Sequence, residues 1–197
     1  MASRGNSKAR NEILEMLKED HQRVKRAFKT AEKLHSQDAH DELQALVEQT
    51  CAEVQVHARL EEELFYPAAR EAVKEEDLIE EAEVEHGSAK ALMQQLEGLS
   101  PDDPKYMATF TVLGEYLKHH IREEETELFE QLGSSRSKVQ WEELQQQMLT
   151  MRETLMAEMG LGEEEGEEQE QSRSATRARS GGRRRSEQSA DQEEAVE

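Results

Sequence analysis

Two short stretches hold the residues best suited to chemistry. Residues 57–65 read HARLEEELF and residues 120–129 read HIREEETELF. In each, a His is followed four positions on by a Glu, His57 with Glu61 and His120 with Glu124. Residues four apart on a helix lie side by side on one face. Each pair is preceded by a single His behind an acidic residue. His21 follows Asp20, 36 residues before His57, and His86 follows Glu85, 34 residues before His120. A His followed by His-x3-Glu, written twice at nearly one spacing, points to two helix pairs around one metal site.

The elements that must position these groups read as helices. Apolar residues recur at steps of three and four. The first helix is expected over about 8–34, with the stripe Leu14, Leu17, His21, Val24, Phe28 and Ala31. The second, over about 41–70, carries Leu43, Val47, Thr50, Val54, His57, Glu61, Leu64 and Ala68. Pro67 should kink its last turn or mark a frayed end. The third, over about 75–96, carries Ile79, Ala82, His86, Ala89, Met93 and Leu96, and the fourth, over about 105–131, carries Phe110, Leu113, Leu117, His120, Glu124 and Leu128. Short connections favour an all-α, up-down-up-down antiparallel four-helix bundle. Each His lies near its helix midpoint, so all four should reach one layer, with Glu61 and Glu124 about 6 Å away along the axis.

A lone His on an apolar face is usually a hydrogen-bonded core residue, and Glu is abundant here, so either motif alone is weak. The conjunction is harder to dismiss. An unpartnered buried carboxylate costs several kcal/mol, and no Lys or Arg lies on these stripes. A metal resolves the difficulty because it takes neutral imidazole and ionised carboxylate together. His21, His57, Glu61, His86, His120 and Glu124 are too many ligands for one tetrahedral zinc. They suit two octahedral ions bridged by carboxylates. Ligand softness alone leaves iron, manganese and zinc open. Fewer carboxylates than histidines should stabilise high-valent iron less, which favours binding or sensing over oxidation.

Composition sets the frame. Of 197 residues, 35% are hydrophobic and 36% charged, so some segment must be heavily solvated. A net charge of −20 argues against nucleic acid as the main partner. Cys51 is the lone cysteine, which excludes an internal disulfide and fits a reducing cytosol. No apolar run approaches a membrane span and no signal peptide is evident, so a cytoplasmic protein without membrane contact is expected. Residues 1–9 read as a flexible N-terminus, 10–132 as the bundle and 136–160 as an accessory helix on its outside, bearing Trp141, Leu144, Met148, Met151 and Leu155. Residues 161–197 alternate acidic, basic and acidic runs and read as a disordered tail. The basic run Arg173 to Arg185 has no interleaved aromatics.

The series of His and HxxxEE motifs over roughly 10–132 resembles the hemerythrin-like HHE cation-binding family. That resemblance implies a four-helix bundle with a non-haem di-iron centre, oxo- or hydroxo-bridged in some states. Glu61 and Glu124 would bridge the two irons, and His21, His57, His86 and His120 would be terminal ligands. Oxygen-carrying members place a further His one turn after the third-helix His, where this chain has Lys90; Glu83, three residues before His86, is the candidate substitute. The resemblance implies a protein that binds or senses oxygen or a related diatomic such as nitric oxide. A protective enzyme of oxidative or nitrosative stress, or an iron store or iron-responsive module, are the alternatives. His119 reads as a surface or supporting residue, His35 and His40 as solvated, and Tyr66 and Tyr116 as ordinary boundary residues.

Overall fold

The computed structural model describes residues 2–73, 76–134 and 138–161. Residues through Gly160 make one unit, and all described secondary structure is helical. Helix α1 spans Ala2–Ser36. Helix α2 runs through three segments, His40–Leu60, a π turn at Glu61–Phe65, and Tyr66–Arg70. Helix α3 is Asp77–Glu97. Helix α4 again has three segments, Pro104–Glu123, a π turn at Glu124–Leu128, and Phe129–Ser134. Helix α5 is Trp141–Glu158. The expected tail lies outside the described residues apart from Leu161.

Local signals explain several boundaries. Asp103 caps α4 by accepting the Lys105 amide at 2.8 Å, with Pro104 at the first helical position, where its missing N–H is harmless. The polar break between α1 and α2 turns on Asp38, whose φ of 54° is a left-handed conformation that Asp tolerates better than most residues.

One expectation is corrected and another is narrowed. Residues 1–9 were expected to be a flexible arm, yet helix α1 begins at Ala2. Ala9 is buried, Asn6 donates to the Val139 carbonyl at 2.8 Å, and Arg10 donates to the Leu132 carbonyl at 3.0 Å. The polar first turns are held by a tertiary partner, which overrides their weak propensity. At Pro67 the last turn is not frayed: a π turn precedes it and the helix runs on to Arg70, its expected end, with Tyr66 and Ala69 fully buried. The Tyr66 amide bonds the Glu61 carbonyl five residues back. The widened turn shifts the hydrogen-bond ladder just where Pro67 could not take part.

One core cluster joins Val24 and Phe28 of α1, Leu43, Val47 and Val54 of α2, Met93 of α3, and Phe110, Leu113 and Leu117 of α4. Phe28 and Phe110 meet with ring centroids 4.4 Å apart. Burial of each such side chain contributes roughly 1.5–3 kcal/mol. Gly114 permits the close approach of α1 to α4, since a Cβ there would sit 2.8 Å from the Phe28 ring. Helix α5 buries Trp141, Leu144, Met148 and Leu155 and packs on α1 and α2.

Candidate metal centre

All six predicted residues are buried and meet in one layer. Glu61 is 0% exposed, and His57, the most accessible of the six, is 8% exposed. His21 and His57 face each other with Nε2 atoms 3.2 Å apart, and His86 and His120 do so at 3.1 Å. Glu61 reaches both pairs: its Oε1 lies 3.2 Å from His57 Nε2 and its Oε2 3.4 Å from His86 Nε2. Glu124 Oε2 lies 3.3 Å from His21 Nε2 and 3.6 Å from His120 Nε2. Two overlapping ligand sets result, His21 with His57, Glu61 and Glu124, and His86 with His120 and Glu61.

Around this layer stands a ring of carboxylates that fixes every imidazole. His21 Nδ1 meets Glu125 Oε1 at 2.9 Å, His57 Nδ1 meets Asp20 Oδ2 at 3.3 Å, His86 Nδ1 meets Glu62 Oε1 at 2.9 Å, and His120 Nδ1 meets Glu85 Oε2 at 3.0 Å. With the Nδ1 proton directed outward, each Nε2 lone pair faces the centre, the arrangement a ligating His requires. These acidic residues are the chain neighbours of the inner six. The carboxylates are in turn held by cations. Lys25 lies 3.3 Å from Glu125, Lys90 2.6 Å from Glu62, and Arg152 grips both Asp20 oxygens at 2.7 and 2.8 Å, with Arg23 also against Asp20. Glu85 has the half-exposed His119 at 3.6 Å.

The electrostatics follow from this crowding. Burial alone would lower the His57 pKa, but Glu61 and Asp20 together outweigh it and raise it to about 10. Burial would raise Asp20, yet hydrogen bonds from His57 and Arg152 hold it at about 2. Glu61 is likewise driven down against burial by His57 and His86. His120 is raised, burial notwithstanding, by Glu124, Glu85 and Glu61. The metal-free centre therefore carries protons that a bound cation would replace.

A fit to metal is visible in what lacks a partner. Among the described residues, Glu61 Oε1 and Glu124 Oε2 are fully buried without hydrogen-bond geometry to any group, and both point at the imidazole pairs. Opposed Nε2 atoms can share only one proton per pair. A cation in each set would satisfy these atoms at once.

Sequence reasoning missed Tyr66. It was read as a boundary residue, but it is 0% exposed and its hydroxyl donates to Glu124 Oε1 at 3.0 Å, with Glu61 Oε2 3.4 Å away. Burial, then Glu124 and Glu61, push its pKa far above the ordinary phenol value, so it remains a donor. Its ring stacks on His86 with centroids 5.7 Å apart. Phe129 holds the same place in the second repeat and stacks on His21 at 6.0 Å. The signal was present as an aromatic five residues after each Glu. Glu83 does not join the centre, because it is drawn outward to Arg70 at 2.8 Å. Lys90 serves Glu62, and His40 pairs with Asp102 at 2.5 Å. Tyr116 is exposed.

A helical domain that buries four imidazoles and two carboxylates in one layer, each His braced by an outer carboxylate, is a metal-binding helical bundle. The chain belongs to the hemerythrin HHE cation-binding domain family, whose model matches residues 12–132. Membership implies non-haem metal binding, and the buried His/Glu sets fit it. The chain is also 27% identical over 141 residues to a protein described as a DNA nickase from Nostoc sp. (strain PCC 7120 / SAG 25.82 / UTEX 2576). That match covers 72% of this chain and 39% of the relative, so the chain spans about two fifths of the relative's length. No solved structure gives a significant match. No helix among the described residues is long and apolar enough to cross a membrane.

Proposed function

We propose that the protein is a non-haem di-iron protein that binds or senses oxygen or a related diatomic such as nitric oxide. In this reading His21, His57, His86 and His120, with Glu61 and Glu124 between the two pairs, would hold the metal. Arg10 by Leu132, His21 by Glu125 and Phe28 by Phe110 run α1 antiparallel to α4, which is consistent with an up-down-up-down bundle. Bound there, ferrous ions would supply electrons and an open coordination position for a small guest.

One observation carries the choice of a diatomic. A cavity of about 20 Å³ adjoins the four histidines, Asp20 and Lys90, and is otherwise walled by apolar residues, among them Val24, Val54, Ala89, Met93 and Leu117. It has room for a guest the size of water but walls that offer water few partners, which suits a small neutral molecule. The inner carboxylates do not line it. Two carboxylates against four imidazoles also favour binding over oxidation.

The nickase relative raises a second reading, a metal-dependent cut in DNA. The net charge of −20 opposes it. Incubation of metal-loaded protein with supercoiled plasmid tests it, and relaxation that needs both metal and His57 would establish it.

The test of the first reading is elemental analysis of anaerobically purified protein, followed by an optical spectrum on adding air. About two irons per chain, with visible bands reversed by removing oxygen, is the expected result. Irreversible bands would transfer the reading to peroxide chemistry. Protein that takes up no metal, with no change in His57→Ala, would sink it.

A further inference from the structure

The centre is built on two repeats, and its inner parts match position for position. His21 answers His86, His57 answers His120, Glu125 answers Glu62, and Lys25, four residues after His21, answers Lys90, four after His86. Asp20 and Glu85 also correspond, each accepting from the Nδ1 of a histidine on the next helix. There the match ends. Asp20 is gripped through both oxygens by Arg152 of α5, at 2.8 and 2.7 Å, and also meets Arg23 of its own helix through one oxygen. Glu85 faces only His119 at 3.6 Å beyond its bond to His120, among the described residues. Arg152 lies outside the matched family region, residues 12–132.

We propose that Arg152 is a positioning residue that makes the two halves of the metal centre unequal, so that the His21/His57 half takes metal first and more tightly. This rests on the reading of the centre as a two-metal site. A guanidinium that binds both oxygens of a carboxylate fixes the carboxylate plane as well as its position. Asp20, so held, fixes the His57 ring with Nδ1 outward and Nε2 toward the centre. Glu85 bonds His120 at 3.0 Å but lacks that clamp, so its plane is less firmly fixed and the His120 ring with it. Loss of the group that bonds a ligating His, here Asp20, typically weakens metal binding about 10–100-fold, and loss of Arg152, one contact further out, should cost less. By linkage the coupling is reciprocal: metal in the first half strengthens the docking of α5, and docked α5 strengthens that metal.

The experiment is a competitive Co(II) titration of the full chain, metal-free at the start, followed by optical absorption. Wild type is expected to load in two resolved steps. Arg152→Ala should weaken the tighter step by up to about tenfold and leave the weaker step in place, and Arg152→Lys should restore part of the loss. Lys90→Ala, which loosens Glu62 and His86, should weaken only the later step. A second readout needs no metal: the His57 Nδ1 proton, followed by nuclear magnetic resonance, should exchange with solvent faster in Arg152→Ala while that of His120 is unchanged. Two steps weakened equally, or neither, with no selective change at the His57 proton, would overturn the proposal. Wild type that binds no Co(II) at all would instead bring down the two-metal reading itself.

Discussion

Tyr66→Phe isolates one hydroxyl at the centre. The Tyr66 O–H donates to Glu124 Oε1 at 3.0 Å, and both residues are buried. Removing it leaves a buried carboxylate oxygen unpaired, which costs about 1–3 kcal/mol. The ring itself should stay in place, because Phe129 fills the equivalent position against His21 with no hydroxyl. No cavity opens, so no packing loss is added. For a domain of this size each kcal/mol lowers Tm by roughly 2–4 °C, and the metal-free variant should therefore melt roughly 2–12 °C below wild type. Differential scanning calorimetry on chelator-treated protein measures this directly. Tyr66→Ala, which also removes the ring, should fall further. An unchanged Tm in Tyr66→Phe, or a fall equal to that of Tyr66→Ala, would refute the assignment of the stabilisation to the hydroxyl.

Other perturbations address the remaining parts of the centre. Glu61 reaches both imidazole pairs, so Glu61→Gln should reduce metal in both halves, whereas His86→Ala should retain about one ion per chain; elemental analysis distinguishes them. In metal-free protein the His57 pKa is raised to about 10 from 6.5, so its contribution is complete below about 6.5 and is lost as pH rises through 10. Asp20 is depressed to about 2 from 3.8, so its contribution is complete above about 4 and is lost as pH falls through 2. The metal-free Tm should accordingly plateau between about pH 4 and 6.5 and decline on the alkaline side; a Tm still rising from pH 7 to 10 would contradict the ion pair. Met93 touches both the inner cavity and a larger one of about 430 Å³ that reaches Cys51 and Tyr106. Met93→Trp should slow nitric oxide association with the iron-loaded protein about tenfold or more without changing iron content, and equal stopped-flow rates would show that the guest enters elsewhere.

The inner centre was legible because its spacing and its helical period agree. Helical steps of three and four place His57 above Glu61 and His120 above Glu124, and no competing charge lies on those stripes. Asp20 and Glu85 were visible as acidic neighbours of histidines, but their targets were not, since each bonds a histidine on another helix. Tyr66 was hidden by the period itself. At about 100° per residue, a position five after Glu61 lies about 140° off its face. The π turn begins at Glu61 and brings the fifth residue back over it, as the second does for Phe129 after Glu124. Arg152 left no local trace, because its partner is 132 positions away. The helical start at Ala2 was missed for the same reason, as Asn6 and Arg10 find their partners at Val139 and Leu132.

Four of the six carboxylates around the centre reach across between repeats. Glu125 of the second repeat orients His21 of the first, while Glu62 of the first orients His86 of the second. Glu61 likewise reaches His86, and Glu124 reaches His21. Neither half can assemble a complete ligand set alone. Such reciprocity has the geometry of a symmetric dimer of helical hairpins, its two copies now joined in one chain. The metal would then act as a fastener between halves as well as a reactive group. A chain cut between α2 and α3 should come together again when metal is supplied and fall apart when it is chelated. Size-exclusion chromatography of the mixed fragments would show it, and fragments that associate equally well with and without metal would deny the metal that role.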